Sequence, residues 1–280
     1  MNPTRGAAVL GSPIDHSLSP VLHRAAYAEL GLHWTYEAIE CDEAGLPALL
    51  HRLRSSTTPT YAGLSLTMPL KAAVMPLLDE VAPSAQRVGV ANTVVFADAG
   101  AFGHNTDVDG VLRCLDEAGV RGAPESLAVL GGGGTARAVL AAVAQRGGVV
   151  ARVLLRDPGR GAALVALGES LGVDVELLPL ADAPRLLDAA DVVVNTTPAG
   201  AVDHLAASPW PRGVPLIDVL YAPWPTPLAA AATLAGAAVV GGLTMLVGQA
   251  ALQVELHTGR PAPYGVMLAA GRTALAERSQ

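Results

Sequence analysis

Of the 18 basic residues in this 280-residue chain, Lys71 is the only lysine; the rest are arginines. An ammonium is a compact charge whose pKa follows its surroundings, whereas a guanidinium stays charged. A position that keeps lysine against such a bias is a candidate for steadying negative charge or passing a proton. The plainer reading is one surviving surface lysine, so its neighbours must decide. Lys71 closes the segment Gly63-Leu64-Ser65-Leu66-Thr67-Met68-Pro69-Leu70-Lys71, which puts Thr67 and Lys71 just past the end of an apolar strand. Ser17 and Ser19 lie on the turn before a helix, where two hydroxyls and helix amides could hold a carboxylate. The bland alternative there is a single N-cap, Ser19. Val90-Ala91-Asn92-Thr93 and Gly103-His104-Asn105-Thr106-Asp107 put polar groups at two further expected strand ends. Ligands of open α/β sheets bind beyond such ends.

A second constellation is a run of small residues. Gly131, Gly132, Gly133, Gly134, Thr135 and Ala136 fit G-x-G-x-x-A directly after the apolar strand Leu127–Leu130 and at the start of a helix. Small residues let a pyrophosphate approach the backbone, and the helix N-terminus supplies amides and positive potential. A lone match is weak, but the strand–turn–helix context strengthens it. The end of the next strand bears on cofactor choice. Arg156 and Arg160 suit a 2′-phosphate and therefore NADP, while Asp157 suits a free ribose hydroxyl and therefore NAD. Two arginines outweigh one carboxylate for a dianion, which favours NADP and leaves NAD as the alternative.

The elements that position these residues alternate. Strands are expected at Ala7–Leu10, Trp34–Ile39 and Tyr61–Leu66, and a hairpin from Val94–Phe96 and Ala101–Gly103. Helices are expected from Ser19, which with Pro20 reads as an N-cap and first helical residue, and at Leu46–Leu53 and Lys71–Leu78. A second α/β unit is expected from about Asp109. Its helices are Thr135–Gln145, Ala162–Leu171 and Pro184–Ala190. Its further strands are Val149–Leu155, Val173–Leu177, Val192–Asn195 and Leu216–Val219. From Leu243 the chain reads as helical. The fold class is α/β: an N-terminal α/β domain followed by a doubly wound, Rossmann-like nucleotide-binding domain.

Composition narrows the classes. Hydrophobic residues are 51% and charged residues 15%, which supplies buried cores rather than disorder. The net charge of -7, without a basic stripe, argues against nucleic acid as a partner. Ala237–Val247 is too short, and Gln249, Gln253 and Glu255 follow too soon, for a membrane helix. Residues 1–11 lack a signal-like apolar run. Cys41 and Cys114 have no metal spacing and read as reduced thiols of a cytoplasmic protein. His16, His23 and His104 read as structural, and Trp34, Trp210 and Trp224 as packing; no metal site is expected.

The ordered motifs resemble the shikimate dehydrogenase family over roughly Gly6 to Leu268. They are Ser17-Leu18-Ser19-Pro20, Thr67-Met68-Pro69-Leu70-Lys71, Gly89-Val90-Ala91-Asn92-Thr93, Asn105-Thr106-Asp107 and Asn195-Thr196-Thr197-Pro198. The series ends with Asp218, Tyr221, Pro223, Thr226, Pro227 and Leu228, then Gly242 to Gln249. Ser65 stands where the family usually has Asn, and Leu155-Arg156-Asp157 departs from its N-R-T motif.

The resemblance implies an NADP-dependent oxidoreductase that reduces 3-dehydroshikimate to shikimate in aromatic amino-acid biosynthesis. It implies Lys71 and Asp107 as the catalytic pair, with Asp107 also touching substrate. Ser17, Ser19, Thr67, Asn92, Tyr221 and Gln249 would hold the substrate, with Gln249, Ser17 and Lys71 in one cleft. To the cofactor set it adds Val219 and Gly242. It also implies a substrate domain over 1–108, a cofactor domain over 109–242, and C-terminal helices over 243–280 returning to the first domain. The expected partners are small molecules, with a homodimer left open. The competing readings are an NAD-dependent quinate/shikimate dehydrogenase and a nonenzymatic NADPH-binding regulator of the same fold.

Overall fold

The structure is a computed structural model and describes residues 5–148 and 150–278. Val149, the expected start of one strand, lies outside the described residues, as do residues 1–4 and 279–280. The chain divides into two compact units. The first runs to Asp107 and resumes at Leu246; the second is Val108–Met245.

The first unit holds β1 (Arg5–Gly11), α1 (Ser19–Glu29), β2 (Trp34–Glu40), α2 (Leu46–Arg54), β3 (Thr60–Leu66), α3 (Leu70–Ala73), β4 (Glu80–Val81), α4 (Pro83–Val88), β5 (Thr93–Ala97) and β6 (Gly100–His104). Its six-stranded sheet has the order β2-β1-β3-β5-β6-β4. The core on this sheet includes Leu10, Leu46, Leu64, Leu70 and Val94. Strands β1, β2 and β3 are parallel, and β5 is antiparallel to both β3 and β6. The register aligns Val9, Ser65, Thr93 and His104 across neighbouring strands. The carboxyl ends of β1, β3 and β6 therefore share one sheet edge with the start of β5. That edge carries the Ser17–Ser19 turn, the Thr67–Lys71 segment, Asn92 and Asn105–Asp107.

Two local expectations are corrected here. Leu18 is the N-cap of α1, without a side-chain cap bond, and Ser19 is the first helical residue. Ser17 Oγ instead accepts from the Ser19 amide at 3.3 Å. The helix expected over Lys71–Leu78 is broken into α3 and a 3₁₀ turn, Met75–Leu77, because Pro76 has no amide to continue the ladder.

The second unit contains α5 (Asp107–Glu117), β7 (Leu127–Leu130), α6 (Gly134–Gln145), β8 (Val150–Leu155), α7 (Ala162–Leu171), β9 (Asp174–Pro179), α8 (Ala183–Leu186), β10 (Val192–Asn195), β11 (Leu216–Asp218), α9 (Pro227–Leu234) and β12 (Val239–Gly241). All six strands are parallel, in the order β12-β11-β10-β7-β8-β9. Leu130, Asn195, Asp218 and Gly241 are aligned at the carboxyl edge. The helix expected over Pro184–Ala190 is α8 followed by a 3₁₀ turn, Leu187–Ala189. Helix α10 (Gly242–Thr258) begins in this unit and continues in the first, where α11 (Tyr264–Arg278) packs against α1.

Both cysteines are free and buried, and burial pushes both thiols up. Trp210 is buried and donates to the Val214 carbonyl at 2.9 Å. Trp224, read as a packing residue, lays its ring against Gly241 while remaining 43% exposed. Among the described residues no group of three or more His, Cys, Asp or Glu is placed to hold a metal. No described helix is long and apolar enough to cross a membrane.

Candidate active site

The polar edge of the first unit is assembled from four loops. After β3 the Thr67 amide bonds the Leu10 carbonyl (2.9 Å), and the Leu70 amide bonds the Thr67 carbonyl (2.8 Å), which turns the chain into α3. The Ala91 amide then bonds the Lys71 carbonyl at 3.0 Å, tying α3 to the segment before β5. Lys71 Nζ lies 2.6 Å from Asp107 Oδ2, with side chains 20% and 5% exposed.

Asp107 starts α5, and its amide is held by Asn105 Oδ1 at 3.0 Å. Asn105 in turn donates to the Val90 carbonyl. The other carboxylate oxygen, Oδ1, accepts from Asn92 Nδ2 at 2.8 Å. Asn92 is buried, and its Nδ2 also reaches Thr106 Oγ1 (2.9 Å) and Gln249 Oε1 (3.3 Å). Gln249 sits on α10 and donates to the Leu246 carbonyl one turn earlier. Lys71, Asp107, Asn92 and Gln249 are thus joined by direct hydrogen bonds within one unit. Such a cluster can present a cation and a carboxylate to one small polar molecule, with the amides fixing their orientation.

The other expected residues take these places. Ser17 is half-buried on the turn before α1, and Ser19 is buried near the Tyr36 hydroxyl. Thr67 is half-buried, with its methyl against Gly11 of β1. Tyr221 belongs to the second unit, in the segment between β11 and α9. That segment is closed by Asp218, which accepts from Asn195 Nδ2 (3.0 Å), the Leu220 amide (3.2 Å) and Thr226 Oγ1 (2.7 Å). Asp218 is fully buried, and burial raises its pKa against the pull of these three donors.

In the second unit Gly131 has φ +96°, and a Cβ there would crowd Thr196. This is the left-handed backbone glycine adopts without strain. A Cβ on Gly133 would meet nothing within 4 Å. With Gly132, Gly134 and Thr135 they form the turn from β7 into the 12-residue α6, which has no side-chain cap bond at its N-terminus; the first amides of a helix have no intrahelical acceptor and suit an anion. This arrangement fits a dinucleotide pyrophosphate. Arg156 and Arg160 are exposed just beyond β8. Asp157 Oδ1 is committed to the Gly159 amide at 3.0 Å. Gly242 packs against the Val219 carbonyl so closely that any side chain would clash.

Residues 9–94 match the shikimate dehydrogenase substrate binding domain, and residues 242–270 match the shikimate 5′-dehydrogenase C-terminal domain. A shikimate dehydrogenase (NADP(+)) of Moorella thermoacetica is 38% identical over 268 residues, covering 93% of this chain and 90% of its own. The chain belongs to the shikimate dehydrogenase family. Among solved structures, the shikimate dehydrogenase of Mycobacterium tuberculosis superposes with a TM-score of 0.84 at 42% identity, over 96% of this chain and 99% of that one. The shikimate 5-dehydrogenase of Thermus thermophilus, in complex with NADP(H) and shikimate, gives 0.83 at 36% identity, over 96% and 99%. The two-unit α/β architecture of the shikimate dehydrogenase family is therefore that of this chain.

Sequence reasoning overlooked the buried layer beneath the site: Tyr36, Gln253, and the part that Ser65, Thr93 and His23 play with them. One signal was legible. Gln253 lies four residues after Gln249, on the same helix face and beside Leu252 and Ala251, where a lone amide in apolar surroundings must find a partner. Tyr36 gave no such signal, because an inward tyrosine on a strand reads as ordinary core.

Proposed function

We propose that this protein is an NADP-dependent shikimate dehydrogenase that reversibly reduces 3-dehydroshikimate to shikimate in aromatic amino-acid biosynthesis. The observation that carries the reading is the 2.6 Å Lys71–Asp107 pair, held on the buried amides of Asn92 and Gln249. Reduction of a ring ketone develops negative charge on its oxygen. A cation that is partly exposed and fixed by a carboxylate stabilises that charge and can pass a proton to it. Lys71 takes that role, and Asp107 orients the ammonium and binds the reacting oxygen. Ser17, Ser19, Thr67, Asn92, Tyr221 and Gln249 hold the substrate carboxylate and hydroxyls.

The bound cofactor supplies the hydride. Gly131 to Thr135 receive its pyrophosphate, Arg156 and Arg160 its 2′-phosphate, and Val219 and Gly242 its other end. On this reading the first unit is the substrate domain and the second the cofactor domain. Two buried free thiols and diffusible small-molecule partners suit a cytoplasmic enzyme. A homodimer is the one macromolecular assembly proposed, and light scattering on the purified chain tests it.

The experiment is a spectrophotometric assay with shikimate or quinate and with NADP or NAD. Shikimate with NADP should give the highest kcat/KM. A preference for quinate with NAD would move the catabolic reading ahead. Tight NADPH binding without turnover of either substrate would make the protein a regulator.

A further inference from the structure

Below the Lys71–Asp107 pair lies a chain of buried side chains whose hydrogen-bond directions follow from one fixed donor. The Thr106 amide can only donate, and it points at Asn92 Oδ1 from 2.8 Å. That end of Asn92 is therefore oxygen, and the Thr93 hydroxyl 2.9 Å away must donate to it. With its proton so placed, Thr93 Oγ1 accepts from Gln253 Nε2 at 2.9 Å. The same Nε2 faces the Asn92 carbonyl at 3.3 Å, a second acceptor that fixes the Gln253 amide the same way round. Gln253 Oε1 then accepts from Ser65 Oγ (2.8 Å) and His23 Nε2 (3.3 Å), and Ser65 accepts from the Tyr36 hydroxyl (2.6 Å). Every donor points the same way, from Tyr36 through Ser65, Gln253, Thr93 and Asn92 to Asp107.

Gln253 is the hub of this chain and is 1% exposed. All four of its bonds go to groups behind the site and none to the open edge. Aligned donors in a buried network reinforce one another, and a missing member leaves its neighbours free to turn. The Thr106 amide still holds the Asn92 oxygen, but a Thr93 hydroxyl released by Gln253 can swing away from it, and the Asn92 side chain that carries Asp107 Oδ1 is then seated less firmly against the Lys71 pair.

We propose that Gln253 is a positioning residue for the Lys71–Asp107 pair, acting through Thr93 and Asn92. This rests on the reading of that pair as catalytic. Gln253 touches neither member of the pair, so its effect belongs in turnover more than in binding.

The test uses Gln253→Met and Thr93→Val, which keep volume and remove the bonds, with Lys71→Met as a reference. Each purified full chain is assayed for kcat, for KM of shikimate and NADP, for NADPH binding by fluorescence, and for its melting midpoint. Gln253→Met should lower kcat about ten- to a hundredfold, as expected for a small misplacement of reacting groups. The shikimate KM should move less, and NADPH affinity and the NADP KM should not move. Thr93→Val should show the same pattern, and the double variant should be no worse than the more impaired single one, because both cut one chain. If Gln253→Met does not fold, Thr93→Val alone must show the kcat loss. Folded variants with kcat near the parent value, or losses that multiply in the double variant, overturn the proposal. If Lys71→Met is inactive in that case, the catalytic reading stands without it. If Lys71→Met turns over normally, both fail.

Discussion

Asp107 grips Lys71 through one oxygen at 2.6 Å and Asn92 through the other at 2.8 Å, so its carboxylate cannot rotate without breaking one of the two bonds. The lysine end is the more open, 20% exposed against 5%. A cation held this way keeps one face for substrate. Lys71→Ala should therefore lower kcat by about 10²–10³-fold, the usual loss when one donor to a developing oxyanion is removed, with a smaller change in the KM of shikimate. Lys71→Arg should also be impaired, since a guanidinium does not readily release a proton. Near-normal turnover by the arginine variant would show that Lys71 passes no proton.

Asp218 closes the 218–226 segment with three donors and is fully buried. Asp218→Ala strands all three and also frees Thr226, which caps α9 by accepting from the Ala229 amide. The loss should be about 3 kcal/mol, the scale for hydrogen bonds to a buried charge. Calorimetry should show a lowered transition, and on the substrate role proposed for Tyr221, which lies in the loosened segment, the KM of shikimate should rise. A melting midpoint unchanged from the parent would refute this role for Asp218.

Much of this architecture is legible in the residues. The apolar blocks Leu127–Leu130 and Val192–Asn195 are bounded by turn formers, and the strands β7 and β10 end where those blocks end. Amphipathic spacing and flanking glycine likewise mark α7, which stops at Gly172 in the left-handed conformation. Short elements are another matter. Strand β4 has two residues, and β12 three, beside the alanine-rich α9; neither is long enough for a period to register. Such strands exist because a neighbouring strand pairs with them, which is tertiary information. The same holds at the site. Lys71 stands out by type, but Gln253 meets Thr93 only because α10 brings a distant segment beside β5.

Acid should weaken the fold through two buried imidazoles. Burial, and for His23 the nearby His257, lower the His23 pKa from 6.5 to about 3; burial also lowers that of His257 to about 4. His23 Nε2 faces Gln253, and His257 Nε2 donates to the Val94 carbonyl. Among the described residues neither Nδ1 has a partner, so a second ring proton would be buried unbonded. Both rings are neutral in the fold, while the unfolded chain takes up protons below 6.5. The stability they allow is thus fully present above that value and falls as pH drops from it toward 4 and then 3. By pH ~5 each histidine should have removed about 2 kcal/mol. Urea midpoints measured from about pH 7.5 to about pH 5 should show this decline, and His257→Gln should roughly halve it. A midpoint that does not fall over this range would show that the imidazoles are not held neutral.

Cofactor choice turns on a carboxylate that faces its own loop. Asp157 is extended, with φ −134° and ψ 96°, and its Oδ1 accepts from the Gly159 amide at 3.0 Å, capping the 3₁₀ turn Pro158–Arg160. Pro158 restricts Asp157 to extended backbone, and the cap gives its charge a local partner. The feature that would favour a free ribose hydroxyl is thereby engaged elsewhere, and Arg156 and Arg160 stand exposed on either side of it. Arg156→Ala should raise the KM of NADP strongly and that of NAD little. A charge-assisted bond of roughly 1.5–3 kcal/mol corresponds to about a ten- to hundredfold change. Asp157→Asn should shift the NADP-to-NAD ratio far less, because an asparagine oxygen can keep the cap. Steady-state kinetics with both cofactors on the parent and both variants read these ratios directly. Equal losses with NADP and NAD in Arg156→Ala would show that Arg156 does not read the 2′-phosphate, and a large gain of NADP preference in Asp157→Asn would show that the carboxylate turns toward the cofactor after all.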